Sequence, residues 1–345
     1  MKKIGILTLP LFNNYGGILQ AFALSQYLQQ KSYDVVFLNR YSNSSKIKAV
    51  LKKIRYKYSF LDKKAHRYKS MKTFIDKKLT VTLPLFSDLE MERYVINNQL
   101  CAVIVGSDQV WRREFVIGSG LNYFLDFLPE NCKRIAYAAS FGINQWNYNN
   151  SETALIKSSL LSFKGISLRE DEAVQMCKEY LGIETTRLID PTLLIDAEVY
   201  KHLAVPNQSA NKYIFVYWLG EKSKVDEYIN KNSLREQYTI IDISLREHSL
   251  EQPSIEEWLS YILYAECIIT DSFHGCVFSL LFHKHFILFP NDIGGNDRIL
   301  SLLRTFDIQD KLYNPQFDIN YDKFEKKLMV ERQKSEHFLQ KSLNS

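Results

Sequence analysis

Leu100-Cys101-Ala102-Val103-Ile104-Val105-Gly106 is an unbroken apolar run closed by a glycine. A strand with one wet face would alternate polar and apolar residues. A run apolar throughout predicts a strand of a parallel sheet covered on both faces by helices. Similar short runs lie on either side, at Lys3–Leu9, Asp34–Leu38, Arg134–Ser140, Lys164–Arg169 and Thr186–Asp190. Helical periodicity separates some of them, over Ile18–Lys31 and Glu170–Leu181. After a helix and the polar stretch Pro206–Asn211, the alternation restarts. Strands are predicted at Lys212–Leu219, Tyr238–Ser244, Cys267–Thr270 and His285–Pro290. Helices are predicted at Lys222–Lys231, Ser254–Ala265, His274–Phe282 and Asp297–Phe306. Ser254 and Glu257 form a capping-box signal at one of these starts. The pattern predicts an α/β chain of two doubly wound, Rossmann-like domains. The expected division is 1–195, a linker at 196–211, 212–318, and a C-terminal helix within 319–345 that can pack back on the first domain. Ligands of such folds bind beyond the carboxyl ends of the strands, here in the cleft between the domains.

The chain has 345 residues, 44 Lys+Arg and 39 Asp+Glu, for a net charge of +5. Its 46% hydrophobic content excludes a largely disordered chain. The charge is unevenly spread. Residues 46–78 carry thirteen Lys/Arg against Asp62 and Asp76, a net +11, so the remainder carries −6. This segment is expected to form a basic helical insertion, over 47–59 and 62–78, in the first domain. A solvated surface and an anionic membrane surface are equal readings of it. Tyr and Phe lie within the stretch, but no nucleic-acid motif accompanies them, so no nucleic-acid partner is expected. The opening MKKIGILTLP lacks the longer apolar region and cleavage site of a secretory signal. Five widely spaced cysteines form no C-x-x-C pair. They read as reduced thiols of a cytoplasmic protein with no metal site, at most held at the inner face of the membrane.

Polar clusters follow the apolar strands where this architecture places ligands. Asn13-Asn14-Tyr15-Gly16-Gly17 opens a helix. Its glycines allow close backbone approach, and a tight turn is the plain alternative. Gly106-Ser107-Asp108-Gln109-Val110-Trp111 offers a carboxylate, an amide and an indole, a set suited to a sugar. Helix capping by Ser107 or Asp108 is an equal alternative. Arg169 ends a strand and can grip a carboxylate or phosphate, or simply pair with Glu170 or Asp171. In Thr270-Asp271-Ser272-Phe273-His274-Gly275, His274 opens a helix and is the best placed of seven histidines for acid–base work. Asn291–Arg298 is a glycine-containing loop entering a helix, from which Arg298 could approach an anion, although a helix start capped by Asn296 or Asp297 is the more expected reading.

Taken in order, the stretches NNYGGILQAFAL (13–24), IVGSDQVW (104–111), RIAYAASFG (134–142), ISLRE (166–170), LIDPTLLI (188–195) and IITDSFHGCVFSLLFHK (268–284) resemble the polysaccharide pyruvyl transferase family. The resemblance implies a fold like that of two-domain (GT-B-like) glycosyltransferases. It also implies transfer of a pyruvyl group from phosphoenolpyruvate to two sugar hydroxyls, forming a ketal. The acceptor would be a cell-surface polysaccharide or its lipid-linked oligosaccharide precursor, as in capsule or exopolysaccharide biosynthesis. No cofactor is implied, phosphoenolpyruvate being a co-substrate. The family's anion-binding arginine falls on Arg169, its catalytic histidine on His274 and its acceptor-side aspartate on Asp108. Family members often carry an arginine where this chain has Ser272, so Ser272 is expected at the donor with Arg298 and Lys284 as compensating cations. Asn14, Tyr15, Gly16, Gly17, Ser107, Gln109 and Trp111 are expected on the acceptor side. Two other readings remain: a glycosyltransferase of the same architecture using a nucleotide sugar, and a non-catalytic glycan-binding protein of polysaccharide assembly.

Overall fold

The computed structural model describes residues 1–57, 67–206, 211–244, 251–291, 295–312, 314 and 317–345. Among the described residues, ten strands form two parallel sheets. The first comprises β1 (Lys3–Leu7), β2 (Asp34–Phe37), β3 (Leu100–Val105), β4 (Lys133–Ala139), β5 (Phe163–Leu168) and β6 (Thr186–Arg187), in the spatial order β2-β1-β3-β4-β5-β6. The second comprises β7 (Tyr213–Tyr217), β8 (Thr239–Asp242), β9 (Cys267–Thr270) and β10 (Phe286–Leu288), in the order β10-β9-β7-β8. Every pairing is parallel, as the apolar runs predict. In each sheet the winding reverses once, between β1 and β3 and between β7 and β9. At such a switch point two strand ends diverge and leave a crevice for a ligand.

The Tyr15–Gln30 helix starts at Asn14, whose Oδ1 accepts from Gly17 N at 3.0 Å. Its first two turns are buried on every face. Both halves of the molecule press on it: Tyr15 stacks on Trp258 of the second half at 5.3 Å, and Tyr15 Oη donates to the Pro253 carbonyl. Phe22 leans on Tyr200, which meets Phe278 edge-on at 4.9 Å. One hydrophobic core therefore runs from the first sheet into the second.

The chain ends where it began. The Tyr321–Asn344 helix lies across β4 and β5, with Ser342 and Phe338 against Gly165, where any Cβ would overlap them. Arg332 ties it to the first half by donating to the carbonyls of Leu193 and Ile195. Within the basic segment, helices cover Lys46–Lys57 and Lys69–Lys78. The parts of the expected helices at 58–59 and 62–66 lie outside the described residues, as do linker residues 207–210 and loop residues 292–294. Two helices not anticipated from sequence, Asp88–Asn97 and Asn150–Leu160, are capped by the side chains of Ser87 and Asn149.

Candidate active site

The turns after β1, β3, β5 and β6 converge with the start of the Phe273–Leu281 helix. Gly106 enters this region at φ 125°, where a Cβ would sit 2.1 Å from the Tyr137 carbonyl. Two residues on, Asp108 has φ 66°, a left-handed conformation that side-chain-bearing residues adopt at a cost of about 1 kcal/mol or more. Its carboxylate is buried and points at Arg169, with Oδ1 3.8 Å from Nη2.

Asp190 is at the centre of the cluster. It follows β6 and its Oδ1 caps the next turn, accepting from Thr192 N at 2.9 Å and Thr192 Oγ1 at 2.7 Å. Oδ2 accepts from Arg169 Nη1 at 2.7 Å and lies 3.0 Å from Ser107 Oγ. His274 Nε2, from the second half, stands 3.8 Å from the same oxygen. Burial alone would raise the Asp190 pKa. Its neighbours His274 and Arg169, together with the Thr192 N–H, outweigh burial and hold it far below the ordinary carboxylate range.

His274 rests on the first half. Gly16 is packed against its ring so closely that a Cβ there would lie 1.8 Å from Nδ1. The NNYGG turn thus seats the imidazole. Phe273, the preceding residue, sits beneath two guanidiniums: Arg169 at 4.6 Å and Arg298 at 5.9 Å from its ring centre. Cations favour such ring faces. Arg298 is partly buried, with its Nε shielded from solvent. Burial and the like charge of Arg169 lower its pKa to about 10, against the opposing pull of Asp108 and Glu170. Glu170 is wholly buried, and burial raises its pKa despite both arginines. Its Oε1 accepts from Ser140 Oγ, Phe141 N and Gly142 N.

Buried polar atoms without a hydrogen-bond partner gather here. Among the described residues they include Arg169 Nε and Nη2, Arg298 Nε, His274 Nε2 and Glu170 Oε2. A buried donor left unsatisfied costs about 1–3 kcal/mol, more when charged. Apart from the Glu170 oxygen, which would repel an anion, these are groups suited to an oxygen-rich anion: two guanidiniums and an imidazole over an aromatic floor.

The expected site residues divide. Asp108, Arg169, His274 and Arg298 are brought together, with Gly16, Gly17 and Ser107 around them. Gly17 approaches the Asp108 carboxylate, its would-be Cβ 3.4 Å from Oδ2. Ser272 is buried and caps the helix, Oγ accepting from Gly275 N at 3.4 Å. Lys284 is elsewhere. It follows the far end of the nine-residue Phe273–Leu281 helix, about 13 Å from its start. Trp111 is fully buried: its Nε1 donates to the Tyr123 carbonyl and its ring stacks on Phe124, so it belongs to the core and not to an acceptor surface. Tyr15 is core for the same reason. Asn14 is exposed and spends its Oδ1 on the helix cap. Gln109 is half-exposed and accepts from Arg112 Nη1 at 2.9 Å. Asp190 and the Phe273 floor were missed from sequence. The available signal for Asp190 was a lone carboxylate closing the apolar run Leu188-Ile189, directly before Pro191.

Among solved structures, the chain is similar to the UDP-N-acetylglucosamine 2-epimerase of Rickettsia bellii, with a TM-score of 0.51 and 10% identity over 100% of this chain and 97% of that one. It is also similar to a putative UDP-N-acetylglucosamine 2-epimerase of Listeria monocytogenes, with a TM-score of 0.49 and 11% identity over 94% and 91%. The likeness to the Rickettsia bellii structure is one of fold alone: two Rossmann-like domains facing a cleft, the GT-B-like arrangement. No curated protein matches the chain in sequence. A family description of polysaccharide pyruvyl transferases matches residues 14–293, the span from the Asn14 cap to the loop before Arg298. Most of the converging residues lie within that span, and the chain belongs to the polysaccharide pyruvyl transferase family.

Proposed function

We propose that this protein transfers the pyruvyl group of phosphoenolpyruvate to two hydroxyls of a sugar in a surface polysaccharide or its lipid-linked precursor. The observation that carries this reading is the placement of Arg169 and Arg298 over the Phe273 ring beside His274, with guanidinium N–H groups of both arginines left without partners. A small anion bearing both a carboxylate and a phosphate would satisfy them.

The chemistry requires few parts. One sugar hydroxyl adds to C2 of the donor while C3 takes a proton and becomes a methyl group. The C2–O bond to phosphorus-bound oxygen then breaks, phosphate leaving with the electron pair. The second hydroxyl closes the ketal. Of the two hydroxyl protons released, one balances the proton gained at C3 and the other leaves on phosphate. His274 would deliver the proton to C3, and Asp108 would accept from the attacking hydroxyl. Arg169 and Arg298 would follow the negative charge as it moves onto the leaving phosphate. Asp190 orients Arg169 and faces His274 without touching the donor.

The test is incubation with phosphoenolpyruvate and a panel of lipid-linked or model glycosides, reading ketal formation by mass and NMR. Expected are a ketal with at least one glycoside and its loss in His274→Gln. A melting temperature raised by a nucleoside diphosphate and unmoved by phosphoenolpyruvate would replace this reading with nucleotide-sugar transfer.

A further inference from the structure

The Lys46–Lys57 helix is mounted the wrong way round for a helix meant to face water. A surface helix ordinarily turns its apolar stripe to the core and its charges outward. Here Ile47, Val50, Leu51 and Ile54 are 77%, 57%, 61% and 51% exposed. Their spacing of three, four and seven places them in one stripe, about 100° wide. Ala49, on the opposite side, is buried. Lys48 borders the stripe on one edge and Lys53 on the other, while Lys52 lies round toward Ala49.

The mounting is held in place. Lys53 Nζ pairs with Glu90 at 2.6 Å, and Lys52 lies 5.4 Å from the Phe86 ring centre. Ahead of the helix, Ser44 N donates to the Phe86 carbonyl and Asn43 N to the Gly118 carbonyl. The latter bond joins the root of the helix to the stretch that descends from Asp108. That stretch itself exposes Phe115 and Ile117.

Charge selects the occupant. Residues 46–57 contain six Lys/Arg and no acid. A second copy would bring the same six positive charges against these, and a nucleic acid would leave the apolar stripe in water. An apolar stripe bordered by lysines matches an anionic bilayer: aliphatic side chains enter the headgroup boundary while ammonium groups remain among phosphates.

We propose that the Lys46–Lys57 helix is a docking surface for an anionic membrane. The expectation drawn from the whole basic segment is thereby narrowed to one face of one helix, and the proposal stands independently of the reaction assigned to the cleft.

The test is co-sedimentation of the full chain with phosphatidylcholine vesicles, with and without phosphatidylglycerol, at low and high salt. Binding is expected only with phosphatidylglycerol, weakened by salt. Combined Ile47→Ser, Leu51→Ser and Ile54→Ser, all exposed positions, should lower binding at least tenfold with an unchanged melting temperature. Lys48→Gln should also lower it, roughly fivefold. Absence of wild-type binding at low salt, binding unchanged in the serine variant, or a dimer that the serine variant dissolves would each overturn the proposal.

Discussion

Arg169 Nη1 donates to Asp190 Oδ2 at 2.7 Å, and both side chains are shielded from solvent. Removing one member of such a buried pair strands the other, at a cost of about 3–5 kcal/mol. Asp190→Asn should therefore lose stability on that scale. The loss should also depend on pH. Asp190 titrates below its ordinary 3.8 in the folded chain, so its stabilisation is complete above that value and disappears as acid protonates it. Denaturation series between about pH 5 and pH 2 should fall more steeply for the wild type than for Asp190→Asn. Parallel curves would refute the role.

Glu170 is the opposite case. It is equally buried, yet its pKa is raised, so its ionised form is a net cost to the fold above the ordinary carboxylate range. Glu170→Gln can keep an acceptor for Ser140 Oγ, Phe141 N and Gly142 N. Chemical denaturation at neutral pH should show the variant as stable as the wild type or more so. A loss above about 2 kcal/mol would contradict this.

Arg298 carries a charge disfavoured by burial and by Arg169. Arg298→Met should raise the melting temperature of the ligand-free protein. Phosphoenolpyruvate should raise the wild-type melting temperature, a stabilisation of about 2.7 kcal/mol at 100 times Kd, and Arg298→Met should remove that rise. Lys284→Gln should leave that rise intact.

Gly16→Ala places a Cβ 1.8 Å from His274 Nδ1. The imidazole must move, and a displacement of about 1 Å can cost on the order of 100-fold in rate. Ketal formation should fall by about that factor while donor binding, measured by thermal shift, persists.

Trp111→Ala should behave as a core truncation, costing about 3–5 kcal/mol. Trp111→Phe should keep the acceptor KM of the wild type. A raised KM with unchanged stability would return Trp111 to the acceptor surface.

Strand positions were readable because parallel strands covered on both faces must be apolar throughout, and Leu100–Val105 could be little else. The start at Ser254 was readable because the cap and Glu257 are local. The same logic applied to Asn149 and Glu152, a capping box whose helix went unread. Arg169, Asp108 and His274 were found because each follows a strand end. Trp111 and Tyr15 were misplaced because an aromatic beside polar residues looks alike whether it faces a sugar or a core. Lys284 was misplaced because closeness in sequence to His274 becomes a helix length in space. Asp190 was missed because its importance lies in whom it touches. Arg169 and His274 reach it from distant segments, and no local pattern records that.

His274, Phe273 and Arg298 come from one half of the molecule, while Arg169, Asp108, Asp190 and Gly16 come from the other. Any parting of the halves wide enough to admit a donor also withdraws the imidazole from its glycine seat. An anion could then be held by Arg169 without being protonated. The proposed acid and the cation proposed to hold the donor are therefore assembled only where the two halves meet.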